Sequence, residues 1–87
     1  MKDDNSNPYL REAFLEVVEN QLRDNSPPET KKTYERLLKE GHSRENAKIL
    51  IASVIAAEVY ITYTENKPYN SERFTRNLNR LPDQNFE

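Results

Sequence analysis

The chain contains no cysteine, which excludes disulfide bonds and any zinc site built on thiolate ligands. Small secreted domains usually depend on disulfides, so this absence favours a reducing, intracellular environment. Residues 1–7 are polar and have neither the basic start nor the apolar centre of a signal peptide. From these features we expect a cytoplasmic protein.

Long apolar runs and an excess of positive charge are also missing. The longest apolar stretch, residues 49–57, is interrupted by Ser53 and falls far below the ~20 residues that a membrane-spanning helix needs. The net charge is −2, with acidic and basic residues interspersed, so nothing favours general binding to nucleic-acid phosphates. We therefore expect neither a membrane nor a nucleic acid as partner.

Glycine occurs once, and the five prolines all lie where helices are expected to begin or end. Residues at spacings of three and four predict a first helix from about Pro8 to Asp24, capped by Asn7. Its predicted stripe consists of Leu10, Ala13, Phe14, Val17, Val18, Gln21 and Leu22. A second helix is predicted from Pro27 to Glu40. Ser26 and Glu29 have the spacing of a capping box at its start.

Gly41 is expected to end the second helix in a left-handed conformation, and Ser43 to cap a third helix that continues to about Glu65. Asn70 is expected to cap a fourth helix, which Pro82 ends. The packing stripe of this last helix consists of Phe74, Leu78 and Leu81.

The third helix carries apolar residues on nearly every side, which predicts a central, mostly buried helix. Either the other three helices wrap it, or part of it meets another molecule. We therefore expect an all-α fold, a small four-helix bundle in one domain over residues 1–87, with disorder at 1–6 and 83–87. The second and fourth helices have thin apolar stripes by comparison. This mismatch favours contacts with a protein partner, most simply self-association through the third helix to give a homo-oligomer such as a homodimer.

The chain offers little for catalysis. His42 is the only histidine, it lies in a predicted turn, and no serine is suitably placed beside it for a nucleophilic site. We expect no enzymatic activity, no catalytic residue, no cofactor and no metal site.

Glu58 is the unusual residue, because a helical projection places its carboxylate among apolar side chains of the third helix. One interpretation is a buried pair with an arginine or a tyrosine of a neighbouring helix. The other is a binding carboxylate, with Glu19 or Arg11 of the first helix as partners. Two carboxylates without histidines make a poor transition-metal site. A ligand- or metal-binding bundle centred on Glu58 is nevertheless the alternative function.

Basic residues and tyrosines are the remaining candidates. The last helix has a basic stripe and the second helix has a basic pair, for which a solvated face with salt bridges is the expected role. Contact of the stripe with nucleic-acid phosphates is the weaker alternative. The tyrosines are expected at the edge of the core, with their hydroxyls in water. These residues are Arg73, Arg76 and Arg80 in the stripe, Lys31 and Lys32 in the pair, and Tyr9, Tyr34, Tyr60, Tyr63 and Tyr69.

Four segments stand out by their order and spacing around a double proline. They are Asn7-Pro8-Tyr9-Leu10, Glu19-Asn20-Gln21-Leu22, Pro27-Pro28 and Thr33-Tyr34-Glu35-Arg36-Leu37. Together they resemble the C-terminal part of an uncharacterised family of small bacterial proteins, a domain of unknown function. The similarity covers the chain from Asn7 to about Leu81.

The resemblance bears on whether this chain binds a metal ion. The family carries histidines on its first and third helices, each pair followed by an acid, which would look like a metal site in a bundle. This chain keeps both acids, Glu19 and Glu58. The four histidine positions correspond to Arg11, Leu15, Asn46 and Leu50. The resemblance therefore implies a helical bundle in which packing has replaced the site, and it implies no activity.

Overall fold

The computed structural model describes residues 8–86, and within that range it contains four helices and no strand. The helices are α1 (Pro8–Asp24), α2 (Pro28–Lys39), α3 (Arg44–Thr64) and α4 (Ser71–Arg80). Because α3 packs against each of the other three, the fold is a small all-α four-helix bundle, as the sequence predicts. The predicted cap Asn7 and the predicted disorder at 1–6 lie outside the described residues.

α1 has the predicted bounds, but the side of the helix that is buried differs in part from the predicted stripe. Val18 is fully buried, while Phe14 and Leu15 pack against the core as partly buried residues. Leu10, Ala13 and Val17, three members of the predicted stripe, are exposed. Leu15 lies off that stripe, so the packing of α1 is centred on the side that Leu15 shares with Val18.

The predicted capping box at the start of α2 is wrong. The residue at the N-cap is Pro27, in extended conformation with φ −75° and ψ 153°, and no side chain caps this end. A residue that precedes a proline is disfavoured in helical conformation, so Pro28 keeps Pro27 out of the helix. The helix therefore begins one residue later than predicted, and Ser26 lies outside it.

The end of α2 is as predicted. Gly41 has a φ of +102°, which suits glycine and strains other residues. Its N–H donates to the carbonyl of Leu38 at 3.1 Å, and the N–H of His42 donates to that of Leu37 at 3.1 Å. This pair of bonds is a Schellman motif, which satisfies carbonyls that the helix itself leaves free. The next helix starts at the predicted cap, because the Ser43 hydroxyl accepts from the Asn46 N–H at 3.0 Å.

α3 forms the core along its first two thirds only. Its buried residues are Ala47, Leu50, Ile51, Ala52, Val54, Ile55 and Glu58. Beyond Glu58 the helix continues for six residues, and Val59, Tyr60 and Tyr63 in that part are 49, 66 and 88% exposed. α3 is therefore the central helix, as the sequence predicts, and its last turns are the part that α1, α2 and α4 do not cover.

α4 begins at the predicted cap, where the Asn70 side chain accepts from the Arg73 N–H at 2.9 Å. Its predicted stripe, Phe74, Leu78 and Leu81, is buried. After Pro82 the chain turns back across α3: the Gln84 amide donates to Ser53 Oγ at 3.0 Å, and Phe86 packs against the core. Residues 83–86 thus have defined contacts where the sequence indicated disorder.

By length and composition α3 is also able to cross a membrane, and it is the one such helix in the described part of the chain. It has 21 residues and a mean hydropathy of 1.4 in its most apolar window, of which 39% is buried within the fold. The core helix of a soluble protein meets the same conditions.

Candidate functional site

Glu58 forms a buried ion pair with the first turn of α4. The Arg73 guanidinium donates from Nε to Oε1 at 2.9 Å and from Nη2 to Oε2 at 2.6 Å. The two side chains are only 6 and 13% exposed. A buried carboxylate needs such a partner, and the fork of an arginine matches its geometry. The structure therefore confirms the interpretation of Glu58 as paired with an arginine of a neighbouring helix.

The same carboxylate holds the loop that leads into α4. The backbone N–H of Asn70 donates to Glu58 Oε2 at 3.0 Å, and this residue is itself the cap of α4. The hydrogen bonds from Arg73 lower the pKa of Glu58 below its ordinary value, burial opposes them, and the Asn70 N–H lowers it further. Glu58 is therefore a charged anchor for the start of α4.

Arg36 holds the other end of the same helix. It lies on α2 and donates from Nη2 to the carbonyl of Leu78 and from Nη1 to that of Leu81, both at 3.0 Å. A cation at a helix C-terminus satisfies free carbonyls and stabilises the helix dipole. Because Glu58 lies at the positive end of α4 and Arg36 at its negative end, both charges favour the docked helix.

Glu19 and Arg11, the other two predicted binding residues, are not part of this arrangement. Glu19 is exposed and pairs with Lys48, at 2.6 Å from Oε2 to Nζ. Lys48 precedes Glu58 by ten residues, or about 15 Å along α3. Arg11 is exposed on α1. The two acids therefore have different partners on different helices, Lys48 of α3 for Glu19 and Arg73 of α4 for Glu58.

A metal at Glu58 would have to displace Arg73, which engages both carboxylate oxygens. Over residues 8–86 no group of three or more histidine, cysteine, aspartate or glutamate side chains is placed to hold a metal ion. Leu15 and Leu50, at two of the positions where the resembling family has histidines, pack in and against the core.

His42 and the basic stripe of α4 have local roles. The ring Nδ1 of His42 is 3.0 Å from the side-chain amide nitrogen of Asn46, across the start of α3. The stripe is divided, because Arg73 is turned into the ion pair with Glu58 while Arg76 and Arg80 are exposed. The structure thus leaves no continuous row of three solvated arginines on α4.

The last turns of α3 carry a surface that sequence reasoning did not single out. We call Val59, Tyr60 and Tyr63 the aromatic face. All three are exposed, and Tyr63 neighbours both of the others because it is four residues from Val59 and three from Tyr60. From Ile49 to Thr64 the only charged residue of α3 is Glu58, which is buried. A sequence signal was present: this stretch is free of other charges in a chain in which 32% of the residues are charged.

Two open grooves flank α4. One, of about 540 Å³, lies between α3 and α4. Its apolar lining is Ala57, Tyr60, Ile61 and Phe86, and its charged lining is Glu65, Lys67, Arg73 and Arg76. It continues the aromatic face sideways.

The second groove, of about 450 Å³, lies between the start of α2 and α4, where Tyr69 and Phe74 have their ring centres 6.0 Å apart. Burial raises the pKa of Tyr69, and the carboxylates of Glu58 and Glu29 raise it further. The tyrosine therefore keeps its proton at neutral pH.

Four of the five tyrosines are surface residues. Only Tyr34 is partly buried against the core, while Tyr9, Tyr60, Tyr63 and Tyr69 are between 56 and 88% exposed. The prediction of tyrosines at the edge of the core therefore fits Tyr34 alone.

Comparison of the chain with protein-family models, with curated proteins and with solved structures finds no match.

Proposed function

We propose that this protein is a cytoplasmic, non-catalytic helical module that acts through contact with another protein chain, made by the aromatic face of α3. The observation that carries the proposal is the exposure of Tyr60 and Tyr63, at 66 and 88%. From Ile49 to its end, α3 presents no charged side chain to solvent. Tyrosine is enriched at the centres of protein interfaces, where charged residues are depleted.

The size of the aromatic face suits the centre of an interface. A fully buried aromatic side chain removes about 150–250 Å² from water, so the two tyrosines offer roughly 300 Å². A standard interface buries about 800 Å² on each partner. The aromatic face therefore supplies an apolar centre, and neighbouring uncharged residues such as Thr62 and Thr64 supply part of the rim.

The charged residues support a structural role for the rest of the bundle. Glu58 and Arg73, the most buried ion pair described, hold the start of α4, and Arg36 holds its end. Catalysis would require a positioned nucleophile, acid or base with access to a substrate. The proposal accordingly assigns the exposed apolar surface, and none of the charged groups, to function.

Site-specific photo-crosslinking in the source cells tests the proposal. A photoreactive phenylalanine analogue in place of Tyr63 is expected to give a covalent adduct with a protein. The same analogue in place of Lys32, which is exposed on α2, is the control and is expected to give none. A second substitution, Tyr60→Glu, places a charge in the aromatic face and is expected to abolish the adduct at position 63.

The proposal fails if position 63 forms no protein adduct, or if the adduct persists unchanged with Tyr60→Glu. Adducts with lipid alone would also overturn it, because they would assign the aromatic face to a membrane surface.

A further inference from the structure

The two tyrosines of the aromatic face, Tyr60 and Tyr63, are one half of a longer stripe on α3. At 3.6 residues per turn, Ser53, Ala56, Tyr60 and Tyr63 fall within an arc of about 80°. Glu58 projects from the opposite side of the helix, where it meets Arg73. Ser53 and Ala56 are partly buried, whereas the two tyrosines are exposed. The stripe therefore has small side chains in its first half and large ones in its second.

When two copies of this stripe face each other in opposite directions, the large residues of each copy lie opposite the small residues of the other. If two copies of α3 cross antiparallel at the level of residue 58, Tyr60 of each copy lies opposite Ala56 of the other. Tyr63 then lies opposite Ser53, where the Gln84 amide that bonds Ser53 forms the edge of the contact. A parallel pair would instead place tyrosine against tyrosine and leave the small residues facing a gap, so the antiparallel arrangement packs better.

The charges on α3 are consistent with a symmetric partner. In a two-fold interface each surface meets its own copy, so any exposed charge near the axis would face a like charge. Between Ile49 and Thr64 the only charge, Glu58, is turned away and neutralised by Arg73. A surface adapted to a charged partner would be expected to carry complementary charges, and the stripe itself carries none. The nearby charged residues Glu65, Lys67 and Arg76 line the groove beside Tyr60, at the margin of the contact.

We infer that the partner bound by the aromatic face is a second copy of this chain, held by an antiparallel α3–α3 contact in which Tyr60 packs on Ala56 and Tyr63 on Ser53. This inference rests on the proposed function and names the partner. Alanine and serine at the crossing let the two helix backbones approach closely, and each tyrosine fills the space above a small residue.

Disulfide trapping tests the geometry, because the chain has no cysteine of its own. An antiparallel crossing at residue 58 brings position 56 of one copy level with position 60 of the other. Two copies of position 56 are then offset by about 6 Å along the axis, beyond the Cβ separation that a disulfide allows. Under mild oxidation, an equimolar mixture of Ala56→Cys and Tyr60→Cys is expected to form the mixed dimer faster than either variant alone.

Sedimentation equilibrium of the unmodified chain over a wide concentration range gives the second readout. A monomer–dimer equilibrium is expected, and Tyr60→Ala is expected to raise its Kd about tenfold or more, as truncation at the centre of an interface does. Tyr9→Ala is the matched control, since Tyr9 is also a highly exposed tyrosine but lies on α1. It is expected to leave the Kd unchanged.

The outcomes separate this inference from the proposed function. A chain that stays monomeric while position 63 still crosslinks to a different protein would overturn the inference and leave the proposed function standing. Fastest trapping between two copies of position 56 or of position 60 would overturn the antiparallel register. Loss of both self-association and protein crosslinking would overturn both proposals.

Discussion

Arg73 donates two hydrogen bonds to Glu58 although the residues are fifteen positions apart, and these bonds join the first turn of α4 to the side of α3. Asn70, which caps α4, donates its backbone N–H to the same carboxylate. One buried acid therefore fixes both the position and the starting point of the last helix. Since α4 has only ten residues, it would be marginal as a helix without such support.

Removing either charge of the Glu58–Arg73 pair is expected to lower the free energy of unfolding, and removing Arg73 is expected to lower it more. Arg73→Gln leaves the Glu58 carboxylate buried with one backbone donor, and we expect it to lower the free energy of unfolding by about 5 kcal/mol. Glu58→Gln leaves a guanidinium on a long, flexible side chain, and we expect a loss of about 3 kcal/mol. Urea denaturation at pH 7 measures both values.

The exposed pair of Arg23 and Asp24 is the control for this prediction. Their side chains are 68 and 57% exposed, so Arg23→Gln is expected to leave the free energy of unfolding essentially unchanged. If Arg73→Gln were no more harmful than Arg23→Gln, the ion pair would not anchor α4.

Glu58 also predicts how stability changes with acid. Its pKa in the folded protein lies below its ordinary value of 4.5, so the folded state favours the charged carboxylate. The resulting stabilisation is complete above pH 4.5 and is lost as the pH falls toward the pKa in the folded state. We expect the free energy of unfolding to fall from pH 5 to pH 3, and to fall less steeply in Glu58→Gln. Equal slopes for the two proteins would contradict this assignment.

Arg36 is expected to matter more than its position on the sequence suggests. Arg36→Gln removes the charged donor to the carbonyls of Leu78 and Leu81, and we expect a loss of about 2 kcal/mol. Amide hydrogen exchange should show the largest loss of protection in α4. Lys39→Gln, an exposed position on the same helix, removes the same charge without this contact and should leave protection in α4 intact.

Local signals in the sequence predicted most of the fold. The caps Ser43 and Asn70 and the left-handed Gly41 follow from rules about single residues and their near neighbours, and the structure confirms each. The predicted capping box at Ser26 is wrong because Pro28 disfavours a helical conformation at Pro27, which becomes the N-cap in place of Ser26. The buried face of α1 failed because its apolar residues span more than one side, so packing rather than periodicity selects the face.

The contacts that hold α4 could be predicted only in part. A carboxylate on an apolar helix face requires a partner, but nothing local identifies Arg73 as that partner before the helices are placed. The role of Arg36 had no sequence signal, because its acceptors are backbone carbonyls, which every residue possesses. The aromatic face has only a partial signal, the charge-free stretch of α3, because apolar residues in a helix look alike in sequence whether or not another helix covers them.

Gly41 is required for its backbone conformation and for nothing else. A Cβ at this position would meet no atom within 4 Å, so there is space for a side chain. The φ of +102° is nevertheless unfavourable for any L-residue with a Cβ. We expect Gly41→Ala to lower the free energy of unfolding by about 1–2 kcal/mol, and Gly41→Asn to be milder because asparagine tolerates positive φ better. Equal stability of all three proteins in urea would contradict the strain.

The aromatic face allows association and stability to be separated within one variant. Tyr63 is 88% exposed, so Tyr63→Ser removes little packing from the isolated chain and should change its free energy of unfolding by less than about 0.5 kcal/mol. If the side chain is instead covered by a partner, the same variant should weaken association strongly.

Thermal unfolding measured at low and at high protein concentration distinguishes the two effects, because association raises the Tm only at high concentration. The Tm of the wild-type protein should therefore rise with concentration, while that of Tyr63→Ser should stay nearly constant. A Tm that rises equally in both proteins would exclude Tyr63 from the interface, and a wild-type Tm that does not rise would remove the reason for placing a second chain on α3.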